Sequence, residues 1–249
     1  MEKALLPLVF ALVGCGAAPS GNEPPPPEVY QTLENSDVVC EHCPPDELAQ
    51  ETVGIRRAAK AFIEYAGGSN LEPDYSPLTI HVSQDAACPP TSAAAYYRFP
   101  DICLFSYEGF KRYAPDSAPV TSVLAQWTFI HESLHAWFAG RVEYQYNLEE
   151  GFCRYVSYDA SGAIADLYDR GVIARANACD LIADAEETTL VRRLCGLGLT
   201  SDHVRSILKG TDDAATQKGS VLTVREFADI VSGTMKLDAN PAFVAAGLI

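Results

Sequence analysis

Apolar residues recur at three- and four-residue spacing along residues 121 to 138: Val123, Trp127, Ile130, Leu134, Trp137 and Phe138. That period predicts a helix with a wide buried face. Thr121 or Ser122 would cap its start, Gly140 would stop it, and Arg141 would suit its C-terminal end. A second helix is predicted from Leu148 to Tyr158, with Asn147 as N-cap. Upstream, Asp46 is placed to cap a long helix through Tyr65, ended by Gly67-Gly68. Residues 78–82, 95–99 and 102–106 read as strands between turns marked by Pro and Gly. Beyond Tyr158 the pattern is helical. It gives an amphipathic stretch from Ala183 to Leu194, a helix capped by Ser201 or Asp202 running to about Leu208, and a helix through Ile230 opened by a Thr223/Glu226 capping box. No internal repeat is visible. The expected fold class is α+β, with a mixed lobe up to about residue 145 followed by a mostly helical lobe.

The first predicted helix carries His131-Glu132-Ser133-Leu134-His135. Residues four apart on a helix share a face, one turn from each other. Two imidazoles so placed can grip one metal ion, and Glu132 between them can act as general base for hydrolysis, which is the His-Glu-x-x-His arrangement of zinc enzymes. The chain holds five histidines, at 42, 81, 131, 135 and 203. A coincidental pair at this spacing, with Glu in the right slot, is the weaker explanation. A catalytic zinc needs a third protein ligand, with water in the fourth position. Glu149 or Glu150 can supply it from the second helix. Taken alone, Asn147 with Glu150 reads as a capping box whose Glu satisfies a backbone N–H; beside two histidines the ligand role is preferred.

The block His-Glu-Ser-Leu-His-Ala-Trp-Phe, followed by Leu-Glu-Glu-Gly-Phe-Cys-Arg-Tyr-Val-Ser-Tyr, resembles the gluzincin metallopeptidases. In the aminopeptidase-N type the second block commonly reads Asn-Glu-Gly-Phe-Ala, and the Glu before Gly is the third zinc ligand. That position is Glu150 here. The second block is also similar to the peptidase domain of plant LIM-domain growth-regulating peptidases. The resemblance covers residues 121 to about 158. The span from His135 to Glu150 is shorter than the aminopeptidase-N type places there. The resemblance implies a zincin-like lobe in which a sheet precedes the metal-binding helix and an edge strand pairs with an extended substrate. It also implies a downstream Tyr or His that stabilises the oxyanion. Tyr155, Tyr158, Tyr168 and His203 are available, and no motif selects among them.

Net charge is −15, from 18 Lys and Arg against 33 Asp and Glu. Phosphate binding wants a basic surface, so nucleic acid is not an expected partner. Residues 1–14 read as a signal peptide: one Lys, then an apolar run too short to span a bilayer. Leu12-Val13-Gly14-Cys15 resembles a bacterial lipobox, which would make Cys15 a lipidated first mature residue and give the protein a lipid anchor in the cell envelope, at the outer membrane. Residues 15–45, with Pro24-Pro25-Pro26-Pro27, read as that lipidated Cys and a Pro-rich extended tether. Residues 46–249 then form the metallopeptidase domain. Export favours disulfides. Cys88 with Cys103 and Cys179 with Cys195 are the local candidates, and the seven cysteines left after Cys15 leave one over.

The expected function is a zinc-dependent peptide-bond hydrolase holding one Zn2+ through His131, His135 and Glu150, with Glu132 as base and a peptide or protein as substrate. Two rivals stand beside it. One is a surface-anchored binding or scaffold lipoprotein with a structural or vestigial metal site. The other is a zinc amidase acting on a non-peptide amide.

Overall fold

The computed structural model describes residues 37–41, 45–66, 79–83, 95–98, 101–105, 121–161 and 177–249. These residues are mostly helical. In chain order they form β1 (Asp37–Glu41), α1 (Pro45–Ala66), β2 (Thr79–Ser83), β3 (Ala95–Arg98), β4 (Asp101–Phe105), α2 (Thr121–Ala139) and α3 (Tyr146–Ala160). Two 3-10 turns follow, Ala178–Leu181 and Glu186–Thr188. The chain ends with α4 (Thr189–Gly196), α5 (Ser201–Lys218), α6 (Val224–Met235) and α7 (Asn240–Ala245).

The strands pair in the order β1-β2-β4-β3. β1, β2 and β4 run parallel, and β3 is an antiparallel edge. β1 lies inside residues 15–45, which the sequence marks only as lipidated Cys and tether. A strand of five residues beside Cys and Pro carries too little pattern of its own, and its pairing with β2 is what defines it.

α2 is the centre of the molecule. Residues 127 to 138 are buried without exception, because α1, α3, β3 and β4 all pack on this helix. The sequence predicted one buried face; the structure buries the whole circumference, as expected of a helix apolar nearly all round. Ser133, caught inside, donates its hydroxyl to the Phe129 carbonyl at 2.7 Å, which satisfies a group that is costly to bury bare. The helix ends at Ala139, before Gly140. Arg141 then turns back, its Nη1 donating to the Trp137 carbonyl at 3.3 Å and its Nε to Asp212 at 2.7 Å.

Four aromatic rings lock α2 and α3 to the C-terminal helices. Phe138, Phe152, Phe227 and Phe243 follow one another at centroid spacings of 6.1, 5.6 and 6.1 Å. Such edge and tilted contacts add to the energy of burial. α3 also approaches α4 closely. A Cβ on Gly151 would stand 2.9 Å from Val191 Cγ2, so only glycine lets the two helices meet there.

Several sequence expectations shift at their ends. Asn147 is not the cap of α3. The helix starts at Tyr146, and its N-cap, Gln145, makes no side-chain cap bond. Asp46 lies inside α1, which opens with Pro45, a residue suited to the first helical position. The predicted helix from Ala183 begins only at Thr189, after a 3-10 turn. The helix predicted to stop near Leu208 continues to Lys218 and ends at left-handed Gly219. Gly210 does not break it, because that position packs against Ile230 of α6. α6 begins as predicted, with Thr223 and Glu226 forming a capping box.

Cys179 and Cys195 form the expected disulfide, tying the first 3-10 turn to the end of α4. Cys103, buried in β4, is disulfide-bonded; Cys88, its expected partner, lies outside the described residues, as do Cys15 and the tether. Cys153 is free and buried. Burial pushes its thiol up to about 12. No helix among the described residues is long and apolar enough to cross a membrane.

Candidate metal centre

His131 and His135 sit one turn apart on α2, and α3 crosses against them. His131 Nε2 lies 3.3 Å from His135 Nε2. Glu150 Oε2 lies 3.3 Å from each of those nitrogens. All three residues are buried. Two donors on one tetrahedral zinc, each bonded at about 2.0–2.1 Å, stand roughly 3.3 Å apart. The triangle therefore has the size that a tetrahedral ion imposes, and the donor set of two imidazoles and one carboxylate suits zinc.

The electronics of the three corners point the same way. His135 Nδ1 faces Glu149 Oε2 at 3.1 Å. With that nitrogen donating, Nε2 is left with its lone pair toward the centre. Burial alone would raise the Glu150 carboxyl. The His131 and His135 imidazoles outweigh burial and hold it well below the usual carboxylate range. Glu150 Oε2 makes no hydrogen bond, although it is buried and close to both rings. A single proton could serve only one edge of such a triangle. A cation satisfies all three corners together, which is why buried lone pairs arranged this way fit a metal.

Glu149 and Glu150, left open as alternatives by the sequence, have separate places. Glu150 joins the donor triangle, and Glu149 bonds the far side of the His135 ring. Glu132 is 1% exposed, in the same buried turn of α2 as its neighbouring histidines. Trp127, one turn before His131, stacks on that ring at a centroid distance of 5.2 Å. Its indole also meets Tyr158 at 5.3 Å. The rings thus fix the imidazole plane from the apolar side.

Among the described residues, His131, His135 and Glu150 are the group able to hold a metal. Cys153 lies one turn beyond Glu150 on α3 and does not belong to the group, so the described residues supply three protein ligands. Of the four residues considered for oxyanion stabilisation, Tyr168 lies outside the described residues, and His203 is half-exposed in the first turn of α5. Tyr155 and Tyr158 are buried, and burial pushes each hydroxyl up to about 12, so both stay protonated.

The sequence reading missed Arg154. Its Nε donates to Glu150 Oε1 at 2.8 Å, and its Nη2 to Glu187 Oε1 at 3.1 Å. The signal was present: Arg154 stands four residues after Glu150, the spacing at which opposite charges pair on a helix.

No family model, no curated protein and no solved structure matches the chain. The donor triangle is compatible with the His-Glu-x-x-His spacing and could hold a metal ion.

Proposed function

We propose that the protein is a zinc-dependent peptide-bond hydrolase of gluzincin type. The observation that carries this reading is the buried triangle of His131, His135 and Glu150, with three protein donors and a carboxylate-bearing turn beside them. A structural zinc takes four protein ligands, whereas a catalytic one keeps a position open. Zinc bound there would acidify a water and polarise a carbonyl.

The chain's own residues then divide the work. His131, His135 and Glu150 would hold the ion. Glu149 keeps His135 in the tautomer that presents Nε2. Glu132 accepts a proton from the attacking water and delivers it to the leaving nitrogen as the C–N bond breaks, giving a carboxylate and an amine. Trp127 and the aromatic packing around α2 exclude bulk water, which strengthens every charge interaction at the site. β3 is an edge of the sheet and packs against α2. An extended peptide could add to that edge as a further strand, the mode in which backbone hydrogen bonds supply affinity. The reading includes an N-terminal lipid anchor at Cys15 and a place in the bacterial cell envelope, supported by the sequence of residues 1–15.

The test is Glu132→Gln. Turnover of a peptide or casein pool should fall by about 10²–10⁴-fold, the contribution of a positioned general base, while one zinc per chain stays bound. Normal turnover in that variant would reject the mechanism. Zinc binding by the wild type with no cleavage of peptides, but with hydrolysis of a non-peptide amide, would redirect it to an amidase.

A further inference from the structure

We propose that Arg154, braced by Glu187, is a positioning residue that reserves a single oxygen of Glu150 for the metal. The inference rests on the metal reading above and goes beyond it, by assigning what holds the third ligand in shape.

The argument starts from the two oxygens of Glu150. Oε1 accepts a hydrogen bond from Arg154 Nε at 2.8 Å, and Oε2 stands 3.3 Å from both imidazole nitrogens. A carboxylate with one oxygen so engaged offers the ion one donor. Free of Arg154, the same group could turn and chelate through both oxygens. Chelation would add a fifth donor beside the water that a catalytic zinc keeps in its fourth position. Charge-assisted bonds from guanidinium to carboxylate are short and strong, and the fork is planar and rigid. Arg154 is therefore well suited to fix a rotation of the Glu150 side chain.

Arg154 in turn needs a second partner. It is buried, and a buried cation is costly unless it is paired. Glu187, in the 3-10 turn before α4, meets Nη2 at 3.1 Å and is only partly buried. Gly151 lets that segment come close: besides Val191, a Cβ there would meet the Glu187 carbonyl oxygen at 3.6 Å. The Glu-Gly pair of α3 thus serves two purposes, a ligand and a gap through which its brace is held.

The experiment compares the full chain with Arg154→Met, Arg154→Lys and Glu187→Gln. Zinc affinity is measured by competition with a chromophoric chelator. Cobalt(II) is then substituted, because its visible absorption is intense in four-coordinate sites and weak in higher-coordinate ones, so it reports coordination geometry. Loss of Arg154 should weaken zinc binding by about 10–100-fold, as outer-shell substitutions do, and should lower the cobalt band as Glu150 becomes bidentate. Arg154→Lys should recover part of both signals. A role confined to folding would leave the cobalt spectrum unchanged in whatever protein folds. If Arg154→Met fails to fold, Glu187→Gln decides: it should move both readouts in the same direction by a smaller factor. Wild-type affinity and an unaltered cobalt spectrum in the variants that fold would overturn the proposal while leaving the metal reading intact. Failure of the wild type to bind zinc, or binding that survives His131→Ala, would instead overturn the metal reading itself.

Discussion

The α2–α3 pair and the α5–α6 pair use charge in opposite ways. On α5 and α6 most charged residues face water, Asp212 against Arg141 being the exception. Lys209 pairs with Asp213, and Lys218 with Glu226, on exposed surfaces, where such pairs contribute little. On α2 and α3 the polar groups His131, Glu132, His135, Glu149, Glu150 and Arg154 are all buried. Desolvating that many ionisable groups opposes folding. A packed apolar interior of similar volume would be easier to stabilise. The α5–α6 pair carries no such buried cluster, and a cation held by His131, His135 and Glu150 would offset part of the cost at the ligand-bearing pair. Perturbed, buried titratable clusters of this kind mark functional sites.

Metal removal gives the largest expected difference between the two regions. Chelation, or His135→Ala, should abolish turnover. It should also lower the stability of the chain, by about 2.7 kcal/mol when zinc had been present at a hundred times its dissociation constant. Hydrogen exchange would locate the loss. Amides of α2 and α3 should exchange faster without zinc, while those of α5 and α6 should change less. Equal loss of protection in both pairs would remove the contrast.

The same contrast governs what was legible from sequence. His131, Glu132 and His135 are specified by chemistry at a fixed spacing, and the choice of Glu150 came from the resemblance. The capping box at Thr223 is local, and it was read correctly because its partners lie three residues apart. The Asn147 cap was misread because its signal, an Asn three before a Glu, competes with tertiary demands. Glu150 is committed to the donor triangle and to Arg154, so no carboxylate remains to close a box. The helix read as stopping near Leu208 runs on to Lys218, where left-handed Gly219 ends it. β1 was invisible because its pairing partner lies some forty residues downstream, joining Asp37 to Thr79. Helix ends and isolated strands are set by contacts that a linear pattern does not contain.

The next effect concerns the disulfide. Cys179 and Cys195 are 16 residues apart, and closing a loop of that size stabilises by about 3 kcal/mol. Cys195→Ser should therefore lower the unfolding free energy by that order while leaving zinc affinity unchanged. A loss of zinc affinity would mean that the first 3-10 turn and α4 support the site directly. Gly151→Ala follows. Its methyl would meet Val191 at 2.9 Å, and overpacking of this sort costs about 1–3 kcal/mol. The displaced 3-10 turn should also weaken the brace on Arg154. Val191→Ala in the same chain should restore much of the loss. No restoration would place the strain elsewhere.

The smallest expected effect is at Glu226, and it separates the two regions by pH. Its carboxylate accepts from Lys218 Nζ at 2.7 Å, from the Thr223 amide at 2.7 Å and from the Thr223 hydroxyl at 3.0 Å. The Lys218 contact first, and then the Thr223 bonds, lower the group from an ordinary 4.5 to about 2. A carboxyl lowered by folding stabilises the native state while it is ionised. That contribution is complete above the ordinary value and fades as pH falls from there through about 2. Glu226→Gln keeps an acceptor for the amide and loses the charge. The variant should be slightly less stable than the wild type at neutral pH, and the gap should close on acidification toward about 2. Urea midpoints across that range would measure it. A gap that stayed constant would show that the bonds to Lys218 and Thr223 do not depend on ionisation. Zinc affinity should be the same in both proteins at neutral pH, because the exposed charge lies on the helix pair that has no part in the metal centre.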